Sequence, residues 1–163
     1  MQPVDSYIRT QGMTCAVINA VLNPVVAWVG NRQMDFMPLW GRNSIVVDTA
    51  VTSIVLSLLV ALFVTSGVHR DLKAGRVKAT NGFSRKECLL SRLPSRAWAL
   101  GLMFGFGIAF VLIPLTLGLF HLIGLTGLSF AAFALFKAVY TGLLAFLVTR
   151  WVIFRQLLLV LQT

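Results

Sequence analysis

The chain has 163 residues, of which 58% are hydrophobic and 12% charged, and it carries a formal net charge of +9. Its mean hydropathy of +0.86 excludes an ordinary soluble domain, because a globule of this length cannot bury so much apolar side chain. The basic surplus does not indicate a nucleic-acid partner, since most of it falls in one stretch between two apolar runs, as in cytoplasmic loops of membrane proteins.

Four apolar runs are each long enough to cross a bilayer, which takes about 20 residues. They predict an all-α integral membrane protein, a four-transmembrane-helix bundle that forms a single membrane domain over residues 1–163. The predicted spans are 12–30, 44–66, 97–120 and 129–150. These runs take up over half of the chain, so we expect no separate soluble domain.

The first span carries two polar side chains, Asn19 and Asn23, next to Pro24. The asparagines are four residues apart, so they share one helix face. The chain before them lacks the early basic region of a signal peptide, and the apolar run is therefore interpreted as a span. The loop that follows contains Pro38 and Gly41, and Asn43 or Ser44 is the predicted N-cap of the second helix.

The second span holds Asp48, Thr49, Thr52 and Ser53, and the loop 67–96 after it is strongly basic. Short loops rich in Lys and Arg stay in the cytoplasm, so both termini are predicted to be cytoplasmic as well. The tryptophans near the ends of the spans fit this orientation. The basic residues of the loop are the candidates for contact with anionic lipid or a partner protein: Arg70, Lys73, Arg76, Lys78, Arg85, Lys86, Arg92 and Arg96.

The third span contains the sequence GLMFG, from Gly101 to Gly105. A G-x-x-x-G spacing lets two membrane helices approach closely. It predicts helix packing here, either within one chain or across a dimer.

The fourth span contains a lysine, Lys137, followed by Tyr140 and Thr141 on the same face. With Thr65 and Thr149 taken as one level, Lys137 and Asp48 differ in depth by about 7 Å of helix rise. A lysine side chain can cover that distance, because it leans towards the N-terminus of its helix. We therefore expect Lys137 to meet Asp48.

Asn23 and Tyr140 are expected to bond the remaining donors and acceptors of the predicted Asp48–Lys137 pair. The role of the pair is left open. It could be a structural contact or a functional site, and the alternative is a wet, unpaired Asp48 at the membrane interface.

An internal repeat is a further prediction. The sequence VLNPVVAWVG in the first span resembles VLIPLTLGLF in the third, which matches Pro24 with Pro114 at an offset of 90 residues. Thr65 matches Thr149 at an offset of 84. Both hairpins would run in, out and back in, so the two halves would be related by an axis along the membrane normal.

The sequences VLNPVVAWVGNRQMDFMPLW and DTAVTSIVLSLLVALFVT resemble uncharacterised small bacterial inner-membrane proteins that are loosely called permeases. The resemblance implies a location in the bacterial cytoplasmic membrane and a role in transport. It implies no site residues.

Two functions are carried forward from the sequence. The first is a small transport or ion-permeation protein, acting as a homo-oligomer on a small ion or solute. Its polar site would use Asp48, Lys137, Asn19, Asn23, Thr52, Tyr140 and Thr141. The second is a non-catalytic membrane subunit or organiser that binds a partner protein or anionic lipid through the basic loop. We expect no enzyme, cofactor or metal, because the sequence offers no nucleophile–base pair, no C-x-x-C and no metal-ligand spacing.

Overall fold

The computed structural model describes residues 3–77 and 93–161. Within these residues the chain is all-α apart from two three-residue strands. The elements are α1 (Val4–Asn31), β1 (Phe36–Pro38), α2 (Ile45–Lys73), α3 (Ala97–Leu122), β2 (Gly127–Ser129) and α4 (Phe130–Leu161). All four helices are long and apolar enough to cross a membrane. The predicted four apolar helices are confirmed.

Serine hydroxyls bond the first turns of α2 and α4, the two helices that begin at the same end of the molecule. Ser44 is the N-cap of α2, and its Oγ accepts a hydrogen bond from the Val47 backbone N–H at 3.3 Å. Ser129 Oγ accepts in the same way from Ala132 N–H at 3.4 Å at the start of α4. Each hydroxyl satisfies a backbone donor that the first turn leaves free.

The two strands pair antiparallel, with Met37 opposite Leu128. They join the α1–α2 connection to the α3–α4 connection and define what we call the strand end of the molecule. The opposite end, where α2 finishes and α3 begins, is called the basic end. Its exposed cations in the described residues include Arg70, Lys73, Arg76 and Arg96.

Three helices run further towards the basic end than the predicted spans. α1 begins at Val4, α2 ends at Lys73 and α4 ends at Leu161. With 28 to 32 residues, these helices are about 42–48 Å long, which exceeds the roughly 30 Å of a bilayer's hydrocarbon core. The added turns have a reason to stay helical, because they bury an apolar cluster of their own: Tyr7, Ile8, Val68, Ile153 and Leu157.

The helices are ordered α1, α4, α2, α3 across the molecule. α4 packs against both α1 and α2, and α2 packs against α3. By contrast, the two helices of each hairpin make few contacts with each other. α4 therefore packs between α1 and α2, and α2 packs between α4 and α3. An open side is left between α1 and α2 and another between α3 and α4.

The glycines of α3 lie against α2. A Cβ on Gly101 would come within 2.8 Å of Leu58 Cα, and one on Gly105 within 2.7 Å of Ile54 Cα. The backbones approach closely because neither position has a side chain. Of the two readings of the G-x-x-x-G spacing, the structure places both glycines in packing within one chain.

Candidate functional site

An ion pair joins α4 to the start of α2. Lys137 Nζ lies 2.5 Å from Asp48 Oδ1. Asp48 is one turn beyond the Ser44 cap, and Lys137 is two turns beyond Ser129. The lysine stem covers the difference by leaning towards the N-terminus of α4. The contact expected from the depth of the two residues is thus present in the structure.

The two partners differ in exposure. The Lys137 side chain is 5% exposed and that of Asp48 22%. Lys137 Nζ also lies 5.7 Å from the centroid of the Phe133 ring, whose face attracts a cation. Asp48 belongs to the first turn of α2, where free backbone N–H groups and the helix dipole favour a negative charge. The pair therefore has a buried ammonium and a carboxylate that a small ion can reach.

The prediction that Asn23 and Tyr140 also bond the ion pair is wrong. Asn23 Nδ2 donates to Asn19 O at 3.1 Å and to Asn19 Oδ1 at 3.2 Å, and Asn19 Nδ2 donates to Cys15 O at 2.8 Å. The asparagines form a ladder along α1 because a short amide inside a helix can reach the carbonyl one turn earlier.

Tyr140 likewise does not bond the pair. Its hydroxyl lies 2.6 Å from Ser53 Oγ and donates to Thr49 O at 3.1 Å. Ser53 Oγ also donates to Thr49 O, at 2.7 Å. These three buried residues fasten α4 to α2 directly below the ion pair. Thr49 and Ser53 are visible in the sequence as polar residues of the second span, but their bonds to Tyr140 depend on how the helices are rotated.

Thr141 fastens α4 to α1. Its Oγ1 donates to Asn19 O at 3.0 Å and to Lys137 O at 2.7 Å. The remaining candidate, Thr52, is half-buried one turn after Asp48. The structure thus brings Asn19 and Thr141 together at the α1–α4 contact, while the Lys137 side chain contacts α2.

A second polar cluster, at the basic end, was missed by the sequence reasoning. Asp71 Oδ2 accepts from the Tyr7 hydroxyl at 2.9 Å, and Asp71 Oδ1 accepts from Arg76 Nη1 at 3.3 Å. An aspartate inside the basic stretch is the signal that could have found it. Of the predicted lipid or partner contacts, Arg70, Lys73, Arg76 and Arg96 are exposed. The other four, Lys78, Arg85, Lys86 and Arg92, lie outside the described residues.

The chemistry available at the ion pair is exchange of a charge. A proton or a cation that neutralises Asp48 would compete with the lysine ammonium for the same oxygens. Among residues 3–77 and 93–161, no group of His, Cys, Asp and Glu could hold a metal ion.

Replacing Tyr140 by phenylalanine tests the contact between α4 and α2. We expect Tyr140→Phe to lower the free energy of unfolding by about 1–2 kcal/mol, because the buried Ser53 hydroxyl and Thr49 carbonyl lose the Tyr140 hydroxyl as a hydrogen-bond partner. The measurement is denaturant unfolding in detergent. Ser66→Ala serves as the control, since the exposed Ser66 hydroxyl bonds only within α2, to Leu62 O at 3.0 Å. Equal losses in the two variants would contradict the expectation.

Comparison of the chain with protein-family models, with curated proteins and with solved structures finds no match. Its function must therefore be argued from its own residues.

Proposed function

We propose that this protein is a small transport or ion-permeation protein whose substrate site is the carboxylate of Asp48, with Lys137 as its counter-charge. The observation that carries the proposal is the 2.5 Å contact between a partly exposed carboxylate and a buried ammonium. A charged residue inside a membrane-spanning helix is costly, and such residues commonly mark ion or proton pathways. No chemical conversion is part of the proposal.

The site would work by competition. When a proton or cation occupies Asp48, the ammonium of Lys137 loses its partner, and the Phe133 ring 5.7 Å away stabilises the freed charge. When the ion leaves, Lys137 returns to Asp48. The two states differ in local charge, which gives an ion a means to bias them.

The proposed orientation places the basic end in the cytoplasm of a bacterial cell and the strand end outside. It is supported by the cations exposed at the basic end, as the positive-inside pattern requires. Exposed tryptophans at both ends add support, since tryptophan favours the headgroup level: Trp28 and Trp40 towards the strand end, Trp98 and Trp151 towards the basic end. Asp48 would then open to the outside.

The proposed internal repeat is supported by burial in α2 and α4. At the offset of 84 residues, eight of the nine buried residues of α2 correspond to buried residues of α4. The pairs are Thr49/Phe133, Ser53/Lys137, Leu56/Tyr140, Ser57/Thr141, Val60/Leu144, Ala61/Ala145, Val68/Val152 and Asp71/Arg155. For α1 and α3 the proline offset of 90 pairs no buried residue of α1 with a buried residue of α3, so burial does not support it. An offset of 89 pairs Gly12 with Gly101 and Ala27 with Thr116, but it no longer matches the two prolines.

The repeat helps to explain where the polar residues lie. The open side between α3 and α4 is an apolar groove of about 830 Å³. The same offsets pair four of its lining residues with four members of the polar site. These pairs are Ala132/Asp48, Phe136/Thr52, Ile108/Asn19 and Leu112/Asn23. One open side is therefore apolar and its counterpart polar, as expected if the α1–α2 side serves an ion and the α3–α4 side does not.

Four helices of this size enclose little volume, so the proposal includes a homo-oligomer in which the α1–α2 sides of several copies border a shared path. A second copy would also cover apolar residues that α1 leaves exposed, among them Val17 and Val21.

The direct test is ion flux in vesicles that contain the purified protein. We expect wild-type protein to dissipate an imposed proton or monovalent-cation gradient at least tenfold faster than empty vesicles, and Asp48→Asn to abolish this activity. Asp35→Asn is the matched control, because Asp35 is an exposed carboxylate in the α1–β1 connection. Wild-type flux equal to that of empty vesicles, or equal flux in Asp48→Asn and wild type, would reject the proposal.

The alternative is a membrane subunit or organiser that binds a partner protein or anionic lipid through its basic loop. The exposed Arg70, Lys73 and Arg96 at one end of the helices favour it, since each such charge contributes about 1 kcal/mol of attraction to an anionic leaflet. On this alternative, vesicles would show no flux, and neutralising these cations would weaken partner or lipid capture while Asp48→Asn would not.

A further inference from the structure

The groove between α3 and α4 is long enough to hold one lipid acyl chain. Its wall on α4 runs from Ala132 to Leu147, which is about 22 Å of helix rise, and a chain from one leaflet spans about half of the roughly 30 Å hydrocarbon core. Exposed aliphatic residues line it, among them Val111 on α3 and Val139 and Leu143 on α4. In a membrane this groove faces lipid.

A buried cation lies beyond the basic end of this groove, eight residues or about 12 Å of helix rise after the last lining residue, Leu147. Arg155 is 4% exposed, and its Nε and Nη2 both donate to Leu93 O, at 3.1 and 2.8 Å. Leu93 lies four residues before the start of α3, so this contact joins the chain that enters α3 to α4. Arg155 lies eleven residues after Leu144, which is three helical turns further along α4.

The charge of Arg155 has no anionic partner among the described residues. Its Nη1 is buried and has no hydrogen-bond partner there, and neither ion pair of the described residues includes it. A buried guanidinium held by one carbonyl oxygen is unfavourable, because burial removes its hydration without supplying a counter-charge.

A second cation, Arg150, lies nearer to the groove along α4 than Arg155 does. Arg150 is exposed and lies eleven residues after Val139, three turns along the groove-lining face, whereas Arg155 is about 140° further around the helix. Its Cζ lies 5.7 Å from the centroid of the Phe154 ring. An apolar groove with two arginines beyond its end matches a molecule with an apolar chain and an anionic head, and guanidinium groups suit phosphate oxygens.

We infer that the α3–α4 groove binds an anionic phospholipid, with one acyl chain along the groove, the phosphate bound by the exposed Arg150, and the buried charge of Arg155 adding to the attraction. The site is independent of the proposed ion site on the other side of the molecule. A lipid is favoured over a second copy of the protein because Arg155, which has no anionic partner among residues 3–77 and 93–161, favours an anion near this end of the groove. The bound lipid would tie the entry of α3 to the end of α4.

Native mass spectrometry of the full chain in a mild detergent tests the inference. The probe is an equal mixture of phosphatidylglycerol and phosphatidylcholine with identical acyl chains. We expect wild type to retain phosphatidylglycerol at least tenfold more, and Arg150→Gln and Arg155→Gln each to reduce that preference at least fivefold. Arg9→Gln is the control, because it removes the same charge from an exposed position on α1 that belongs neither to the groove nor to the basic loop.

Two further arms separate the acyl chain from the head group. Val139→Trp fills the groove from an exposed position, so it should lower retention of phosphatidylglycerol without disturbing the arginines. Glycerol phosphate, which has the head but no chain, should not compete at millimolar concentration. The inference fails if wild type shows no preference, if Arg9→Gln lowers the preference as much as Arg150→Gln, if Val139→Trp leaves retention unchanged, or if glycerol phosphate displaces the lipid. Arg150 and Val139 are exposed, so their variants keep the test decisive even if Arg155→Gln does not fold.

Discussion

Asp48→Asn is expected to lower the free energy of unfolding by about 3–5 kcal/mol and Lys137→Met by less, and the double variant to recover most of the larger loss. Asp48→Asn leaves the buried ammonium of Lys137 without a counter-charge, whereas Lys137→Met leaves a carboxylate that water still reaches. The 5% exposure of Lys137 makes its unpaired state the more severe of the two. The measurement is unfolding of the three variants in detergent under one set of conditions, analysed as a double-mutant cycle.

Asp35→Asn again provides the control, since its carboxylate is exposed and should change stability little. A double variant whose loss equals the sum of the two single losses would show that the residues do not act together. That result would contradict the ion pair and, with it, the site proposed for the substrate.

Gly105→Val is expected to lower the free energy of unfolding by about 3 kcal/mol, at the upper end of what overpacking usually costs. The new Cβ would lie 2.7 Å from Ile54 Cα and 3.1 Å from Ser53 O. Both neighbours are backbone atoms, so the added carbon fits only if α3 moves away from α2. Thermal unfolding in detergent measures the effect.

Gly118→Val is the matched control, because it lies in the same helix and a Cβ there would meet no heavy atom within 4 Å. If the two variants lose stability equally, the loss in Gly105→Val does not come from the close approach of α3 to α2. If Gly105→Val instead changes the oligomeric state without loss of stability, the glycines belong to an interface between copies.

Hydropathy was enough to predict the four helices, because each has an uninterrupted apolar stretch that only a bilayer or a large core could solvate. It could not predict their order across the molecule. An exposed residue such as Phe110 is as apolar as a buried one such as Leu100, and the sequence does not distinguish them. The paired strands were missed for a different reason. They are three residues long, and β1 ends in a proline.

The candidate site was predictable where depth alone decides a contact. Asp48 and Lys137 are charged residues at compatible levels, and few alternatives compete for either. Depth did not suffice for Asn23 and Tyr140. Asn23 can bond the carbonyl one turn earlier, and the Tyr140 hydroxyl can bond Ser53, so its choice depends on helix rotations that the sequence does not contain. Arg155 was likewise unpredictable, because its partner is a backbone oxygen at Leu93.

The central claim is that the pair of Asp48 and Lys137 is kept for ion movement rather than for folding. The measurement that tests it most directly is ion flux through vesicles containing the double variant Asp48→Asn/Lys137→Met, after its unfolding in detergent has shown it to be folded. Our account predicts a stable protein whose flux equals that of empty vesicles. A stable double variant with wild-type flux would contradict it, and would show that the ion pair only sets how α2 and α4 pack.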